Sequence, residues 1–270
     1  MIPASDINAR DLIEFYLETG VDALLSEAPV DRFAVVEAPP TPVTTRAVVE
    51  RTVASNTQQP APAAQLVVAP DEAAMAARAA AKGAATLDAL RAILEDFNGC
   101  ALKATASRTA FADGNPQARV MLVGEAPGRD EDIEGLPFVG RSGKLLDLML
   151  KAIGLDRTSV YIANIVPWRP PGNRTPTPQE SAICLPFVLR QIELADPDIL
   201  VCLGGPSAQT LLGIKDGITK TRGRWFTFNA GKRDIRAIAT FHPAFLLRSP
   251  LQKRFAWRDM LAIKKALDTE

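Results

Sequence analysis

From residue 119 to the end, the sequence alternates short apolar strands with helical segments, and that alternation constrains the fold more than any other feature. Strands are predicted over 119–123, 160–165, 199–203 and 235–241. Between the first two lies a helix over 142–153, with Leu145, Leu146, Leu148 and Met149 turned inward. Another opens at Thr177-Pro178-Gln179-Glu180, which is a capping box with proline at the first helical position. A short helix follows over 206–212, and a helix over 252–267 closes the chain. Strands alternating with helices imply a parallel sheet covered on both faces. The predicted fold is therefore α/β: three α/β/α layers around a central, mainly parallel four-stranded sheet. Ligands of such sheets bind beyond the carboxyl ends of the strands, so chemistry is expected in the loops after them.

The preceding third is different. Residues 8–26 have helical period, with Leu12, Phe15, Tyr16, Leu17, Val21, Leu24 and Leu25 on one side and acids on the other. Residues 28–70 hold seven prolines and no glycine, a composition that resists helix and central strand alike and reads as a semi-extended linker. The expected organisation is an N-terminal helix (1–27), a Pro/Ala-rich linker (28–70) and a catalytic domain (71–270). That domain starts with an Ala-rich helix broken at Gly83 and restarted at Thr86. The start of the chain lacks a basic segment followed by an apolar one, and no apolar run is long enough for a membrane span. A cytoplasmic protein without a membrane partner is expected.

Composition removes several chemistries. The chain has one histidine, which excludes mechanisms needing two imidazoles and His-rich metal sites. Its three cysteines fit neither a disulfide framework nor a closed four-thiolate site. Thirty-one basic and 31 acidic residues leave no net charge, yet 215–258 alone carries +9. Such a local excess suits a polyanion, or else is an ordinary solvated basic surface.

Each post-strand loop offers a chemical reading and a plainer one. Gly124-Glu125-Ala126-Pro127-Gly128 lets backbone approach a ligand and places a carboxylate at the mouth, or is only a tight turn. It is not the G-x-G-x-x-G of dinucleotide folds. Phe138, in Gly135-Leu136-Pro137-Phe138-Val139-Gly140, is a stacking platform for a planar ligand or a loop anchor turned inward. Asn164 ends the second strand, where its amide suits a pyrimidine edge or bonds nearby backbone. The stiff segment Val166-Pro167-Trp168-Arg169-Pro170-Pro171-Gly172-Asn173-Arg174 offers Arg169 and Arg174 to phosphates. His242 ends the last strand, and the Leu246-Leu247 pair beside Arg248 reads as an exposed apolar tip able to wedge into a base stack.

These motifs, in this order, resemble the thermophile-type, iron–sulfur branch of the uracil-DNA glycosylase superfamily, over residues 87–266. The resemblance implies hydrolysis of the N-glycosidic bond of uracil in DNA, single- or double-stranded, as the first step of base-excision repair. It implies that Phe138 stacks on the flipped uracil and Asn164 bonds its edge, with Gly124 and Ala126 in the same pocket. His242 would contact the carbonyl oxygen beside the scissile nitrogen, Glu125 would position or activate water, and Leu246 would fill the hole left in the duplex. Arg169, Arg174, Leu247 and Arg248 would complete the DNA contacts.

One departure is plain. In the resembling family four cysteines hold a [4Fe–4S] centre; Cys100 and Cys184 match two of those positions, while Phe97 and Trp168 occupy the others. Two thiolates and two aromatics cannot ligate a cubane, so no metal or cofactor is expected. Cys202 lies within the third strand and is expected to face the core. Two other functions compete: a catalytically weak DNA-binding relative tethered through 1–70 to a replication or repair partner, and hydrolysis of a free nucleoside or nucleotide. The +9 segment argues against the second of these.

Overall fold

A computed structural model describes residues 70–269. The chain divides into two units, Met1–Pro62 and Ala63–Glu270. The expected helix over 8–26 and the linker up to residue 69 lie outside the described residues.

Six strands form one sheet: β1 (Asp113–Gly114), β2 (Val120–Gly124), β3 (Tyr161–Asn164), β4 (Ile199–Leu203), β5 (Trp225–Asn229) and β6 (Asp234–Thr240). Their order is β1-β3-β2-β4-β6-β5. The four inner strands, β3, β2, β4 and β6, are mutually parallel and correspond to the four predicted. The sheet is thus larger than expected, by two antiparallel edges. β1 is only two residues long, too short to carry a period. β5 enters as a hairpin with β6, closed by Ala230 N–H donating to the Arg233 carbonyl at 2.9 Å.

The described helices are α1 (Pro70–Lys82), α2 (Leu87–Asp96), α3 (Leu102–Thr105), α4 (Arg129–Glu134), α5 (Arg141–Ala152), α6 (Pro178–Ala195), α7 (Gly205–Leu212), α8 (Ile218–Thr221), α9 (Pro243–Arg248) and α10 (Lys253–Asp268). The local signals work as chemistry. Thr86 caps α2 by accepting from Ala89 N–H at 3.1 Å. Thr177 accepts from Glu180 N–H at 3.2 Å, and Glu180 accepts from Thr177 N–H at 2.7 Å.

Successive strand residues point to opposite faces, so each inner strand feeds two cores. Met121, Val123, Leu200 and Cys202 pack on the side of α1, α2 and α6. Val120, Leu122, Ile162, Ile199 and Val201 meet Leu146 and Leu150 of α5 and Met260 and Ile263 of α10. Full burial of each such aliphatic side chain contributes roughly 1.5–3 kcal/mol. The expected three layers follow, with Cys202 inward. Among the described residues no helix is long and apolar enough to cross a membrane.

After β2 the chain moves outward to β3; after β3 it crosses back to β4 on the far side of β2. The order therefore reverses between β2 and β4, and a crevice opens outside their carboxyl ends.

Candidate active site

That crevice is a cleft of about 630 Å³, lined by residues from the loops after all four inner strands. Glu125 and Ala126 follow β2, Asn164 ends β3, Gly204 follows β4, and His242 follows β6. Phe138, Arg174 and Arg248 complete the part of the wall anticipated from sequence.

The β2–β3 register sets Gly124 opposite Asn164. A Cβ on Gly124 would overlap Asn164 Oδ1 and the Phe138 ring, so glycine is what lets both side chains lie over the strand end. Asn164 is buried, and its Oδ1 has no hydrogen-bond partner among the described residues. A buried acceptor left unmade costs about 1–3 kcal/mol. The residue itself lines the cleft.

Phe138 is also buried and holds a left-handed backbone, φ +56°. A phenylalanine adopts that conformation only when its surroundings impose it. Two neighbours do so. Gly143 lies so close that any side chain there would overlap the Phe138 carbonyl. Arg157 donates to that same carbonyl and to the Pro137 carbonyl, and is itself held by Asp113 and Asp147. Glu131 makes a second clamp: its carboxylate accepts from Gly128 N–H and Gly140 N–H, both at 3.1 Å, and so joins the two motif loops. Sequence reading missed Arg157 and Glu131. Glu131 is one of a run of acids after Gly128 that carries no signal of its own, and Arg157 sits in a short turn far in sequence from most of its partners.

His242 caps α9. Its Nδ1 accepts from Ala244 N–H at 3.1 Å, which leaves the ring proton on Nε2. Burial, with a smaller contribution from the Arg248 charge, pushes its pKa down to about 4. The imidazole is neutral at pH 7, and its ring centroid lies 5.4 Å from that of Phe138. Burial alone raises the Glu125 carboxyl above the usual range.

The predicted DNA-contacting residues divide. Arg248 and Arg174 line the cleft. Arg174 also holds both Glu180 oxygens, at 2.7 and 2.8 Å, tying the loop to the cap of α6. Arg169 bonds Asn173 Oδ1 at 2.7 Å, does not line the cleft, and shapes the loop. The expected apolar tip needs correction. Residues 243–248 are a helix, not a loop, and Leu246 is buried, packed in a cluster with Phe241 and Ala256. Leu247 is the exposed member of the pair. The +9 segment is likewise partly neutralised within the fold: Arg222 pairs with buried Asp259, and the exposed Arg233 pairs with Asp196 and Asp198.

The four positions of the family's cluster share one core region. Cys100 and Cys184 are buried with their sulfurs 3.9 Å apart. Phe97 packs edge-on against Phe187, ring centroids 5.1 Å apart. The indole of Trp168 is buried and donates to Thr109 Oγ1 at 3.0 Å. Among the described residues no group of three or more His, Cys, Asp or Glu side chains could hold a metal ion. The side chains present do not fit a four-thiolate cluster.

Comparison with known proteins agrees with this geometry. The uracil DNA glycosylase superfamily profile matches residues 111–261. A type-4 uracil-DNA glycosylase of Thermotoga maritima is 45% identical over 151 residues, covering 56% of this chain and 77% of that protein. The type-4 enzyme of Archaeoglobus fulgidus is 42% identical over 155 residues, covering 56% and 78%. A DNA polymerase of Bacillus phage SP01 is 30% identical over 176 residues, which are 65% of this chain but 18% of the polymerase. The matched span contains every inner strand and every cleft residue named above, and by it the chain belongs to the uracil DNA glycosylase superfamily.

Proposed function

We propose that the protein is a uracil-DNA glycosylase that hydrolyses the bond between uracil and deoxyribose, leaving an abasic site for base-excision repair. The observation that carries this reading is the pair of polar side chains, Asn164 and His242, that line one cleft with Phe138. Asn164 Oδ1 is an acceptor without a donor, and His242 Nε2–H is a donor fixed by the bond at the opposite nitrogen. Uracil presents N3–H and a carbonyl oxygen beside N1, which match those two atoms. Cytosine has a bare N3, so it would set acceptor against acceptor, and a polar site rejects such a ligand strongly.

The chemistry follows from where charge develops. A base inside the duplex is out of reach, so it is extruded at a cost of a few kcal/mol and received over Phe138. The glycosidic bond breaks with its electron pair moving onto N1 and the adjacent carbonyl oxygen. His242 donates a hydrogen bond to that oxygen while remaining a neutral imidazole, stabilising the anion where it forms. Water adds to the sugar carbon. Glu125, at the mouth of the cleft, positions that water and receives its proton, which finally returns to the released uracil. Arg174, Leu247 and Arg248 provide contacts to the DNA strand.

No cluster takes part. The support for this is chemical: two of the four positions are aromatic rings, and the remaining thiols contact each other. The protein is expected to act in the cytoplasm. Residues 1–70 are proposed to tether it to a replication or repair partner, a reading supported by a related domain occurring within the phage SP01 polymerase.

The test is incubation of uracil-containing single- and double-stranded oligonucleotides, followed by alkali. Strand scission at uracil, steeply weakened by salt, is expected. Binding without scission refutes the enzymatic reading. Stoichiometric iron with a brown absorbance in the same preparation refutes the cluster-free one.

A further inference from the structure

Two charged side chains that do not line the cleft, Asp259 and Arg222, converge on the two residues before His242. Thr240 ends β6, fully buried, and its hydroxyl donates to Asp259 Oδ2 at 2.7 Å. Asp259, on α10, is 1% exposed. Arg222, which follows α8, donates from Nε to Asp259 Oδ2 at 2.8 Å and holds Oδ1 through a terminal nitrogen. The same guanidinium donates to the Phe255 carbonyl at 2.6 Å. It lies 5.7 Å from the ring centroid of Phe241, the residue between Thr240 and His242. The Thr240 carbonyl in turn accepts from Gly204 N–H at 2.9 Å, fixing the end of β6 to the end of β4.

Taking a carboxylate and a guanidinium out of water is expensive, and apolar side chains of similar volume often serve stability as well. What a fully bonded polar network adds is a single geometry. Here the network fixes the last strand residue by its hydroxyl and the next residue by its ring. The position of the His242 backbone, and with it the direction of Nε2–H, then follows.

We infer that Asp259, acting with Arg222 through Thr240 and Phe241, is a positioning residue that aims the His242 imidazole into the cleft. This rests on His242 being the donor to the uracil oxygen. Arg222, Thr240 and Asp259 do not line the cleft, so their effect falls on the rate of bond cleavage and not on DNA affinity.

The test compares full-length protein with Thr240→Val, Thr240→Ser and His242→Ala on a uracil oligonucleotide. Misplacing a catalytic group by about 1 Å can cost on the order of 10²-fold in rate. Thr240→Val is expected to lower kcat by roughly 10- to 100-fold with KM changed less than about twofold, and Thr240→Ser, which keeps the hydroxyl, to restore most of it. Because the chain has one histidine, its imidazole ¹⁵N resonances report one site. In Thr240→Val they should move from the Nε2–H pattern toward a mixture of tautomers. If Thr240→Val does not fold, Asp259→Asn is measured in the same way and should show the same split between kcat and KM. An unchanged kcat, or a lowered kcat with an unaltered imidazole spectrum, overturns the inference. If His242→Ala itself leaves kcat intact, the assignment of His242 fails first; if it abolishes activity while Thr240→Val does not, only the positioning role is lost.

Discussion

The depressed pKa of His242 makes a quantitative prediction about acid. In the folded protein the imidazole titrates at about 4, against 6.5 for the ordinary group, because it is largely buried in the cleft wall and Arg248 adds positive charge nearby. Below pH 6.5 the unfolded chain binds a proton that the folded one refuses, so stability falls with pH through that window. At about 1.4 kcal/mol per pH unit, the depression amounts to about 3 kcal/mol, present in full above pH 6.5 and lost by pH 4. Carboxylates titrate over part of the same range, so the comparison must be with His242→Gln, which shares them. Urea unfolding at pH 7, 6, 5 and 4 should show the stability of the wild type relative to the variant shrinking by about 3 kcal/mol. The single imidazole should remain neutral at pH 5.5 by NMR. Arg248→Ala should recover a minor part of the shift, since burial is its larger cause. A midpoint near 6.5, with parallel stability curves for wild type and His242→Gln, would refute both the burial argument and the neutral-donor chemistry built on it.

Other perturbations test other parts of the site. Arg157→Ala removes the donors on the Phe138 and Pro137 carbonyls and leaves the partly exposed Asp113 and Asp147 to solvent; a loss of roughly 1–3 kcal/mol in urea unfolding is expected, with excision slowed at pH 7. Asn164→Asp replaces the amide with a second acid in the cleft that Glu125 also lines and should cut uracil excision by on the order of 10²–10³; an unchanged rate removes Asn164 from the site. Trp168→Ala empties a buried indole position and its bond to Thr109, and should cost about 3–5 kcal/mol. Cys202, whose thiol burial pushes to about 12, should resist alkylation at pH 8 until the protein is unfolded.

The parts of this molecule that could be read from sequence are those where local chemistry and fold agree. Inner strands and amphipathic helices carry their own periods, and capping by Thr86 and Thr177 is written in adjacent residues. Asn164 and His242 were placed by the rule that ligands sit beyond the carboxyl ends of parallel strands, and both line the cleft. Edges and clamps obey no such rule. β1 is two residues, and β5 alternates Trp225 and Thr227 with Phe226 and Phe228, a hairpin signal hidden in a basic segment. Arg157 draws partners from residues 113, 137, 138 and 147, a convergence that no spacing encodes. Leu246 and Leu247 show the cost of taking six residues for a loop. On a helix, neighbouring side chains diverge by about 100°, so one leucine enters the core and the other faces solvent.

The aromatic replacements at the cluster positions carry the same logic into the core. A cluster bound by residues 97, 100, 168 and 184 would cross-link the end of α2, the loop after β3 and the first turns of α6. In this chain ring packing and hydrogen bonds join those segments. Phe97 packs on Phe187 of α6, and Arg190 of α6 donates to the Ala84 carbonyl before α2. Trp168 bonds Thr109, and Ala110 N–H donates to the Pro167 carbonyl at 2.9 Å. The loop so anchored is the one that continues through Arg169 to Arg174 at the cleft, while Asn164 stands at its other end. Packing of two large rings, each worth more buried area than a thiol, can therefore hold the Asn164-bearing end of β3 in place without thiolates at positions 97 and 168.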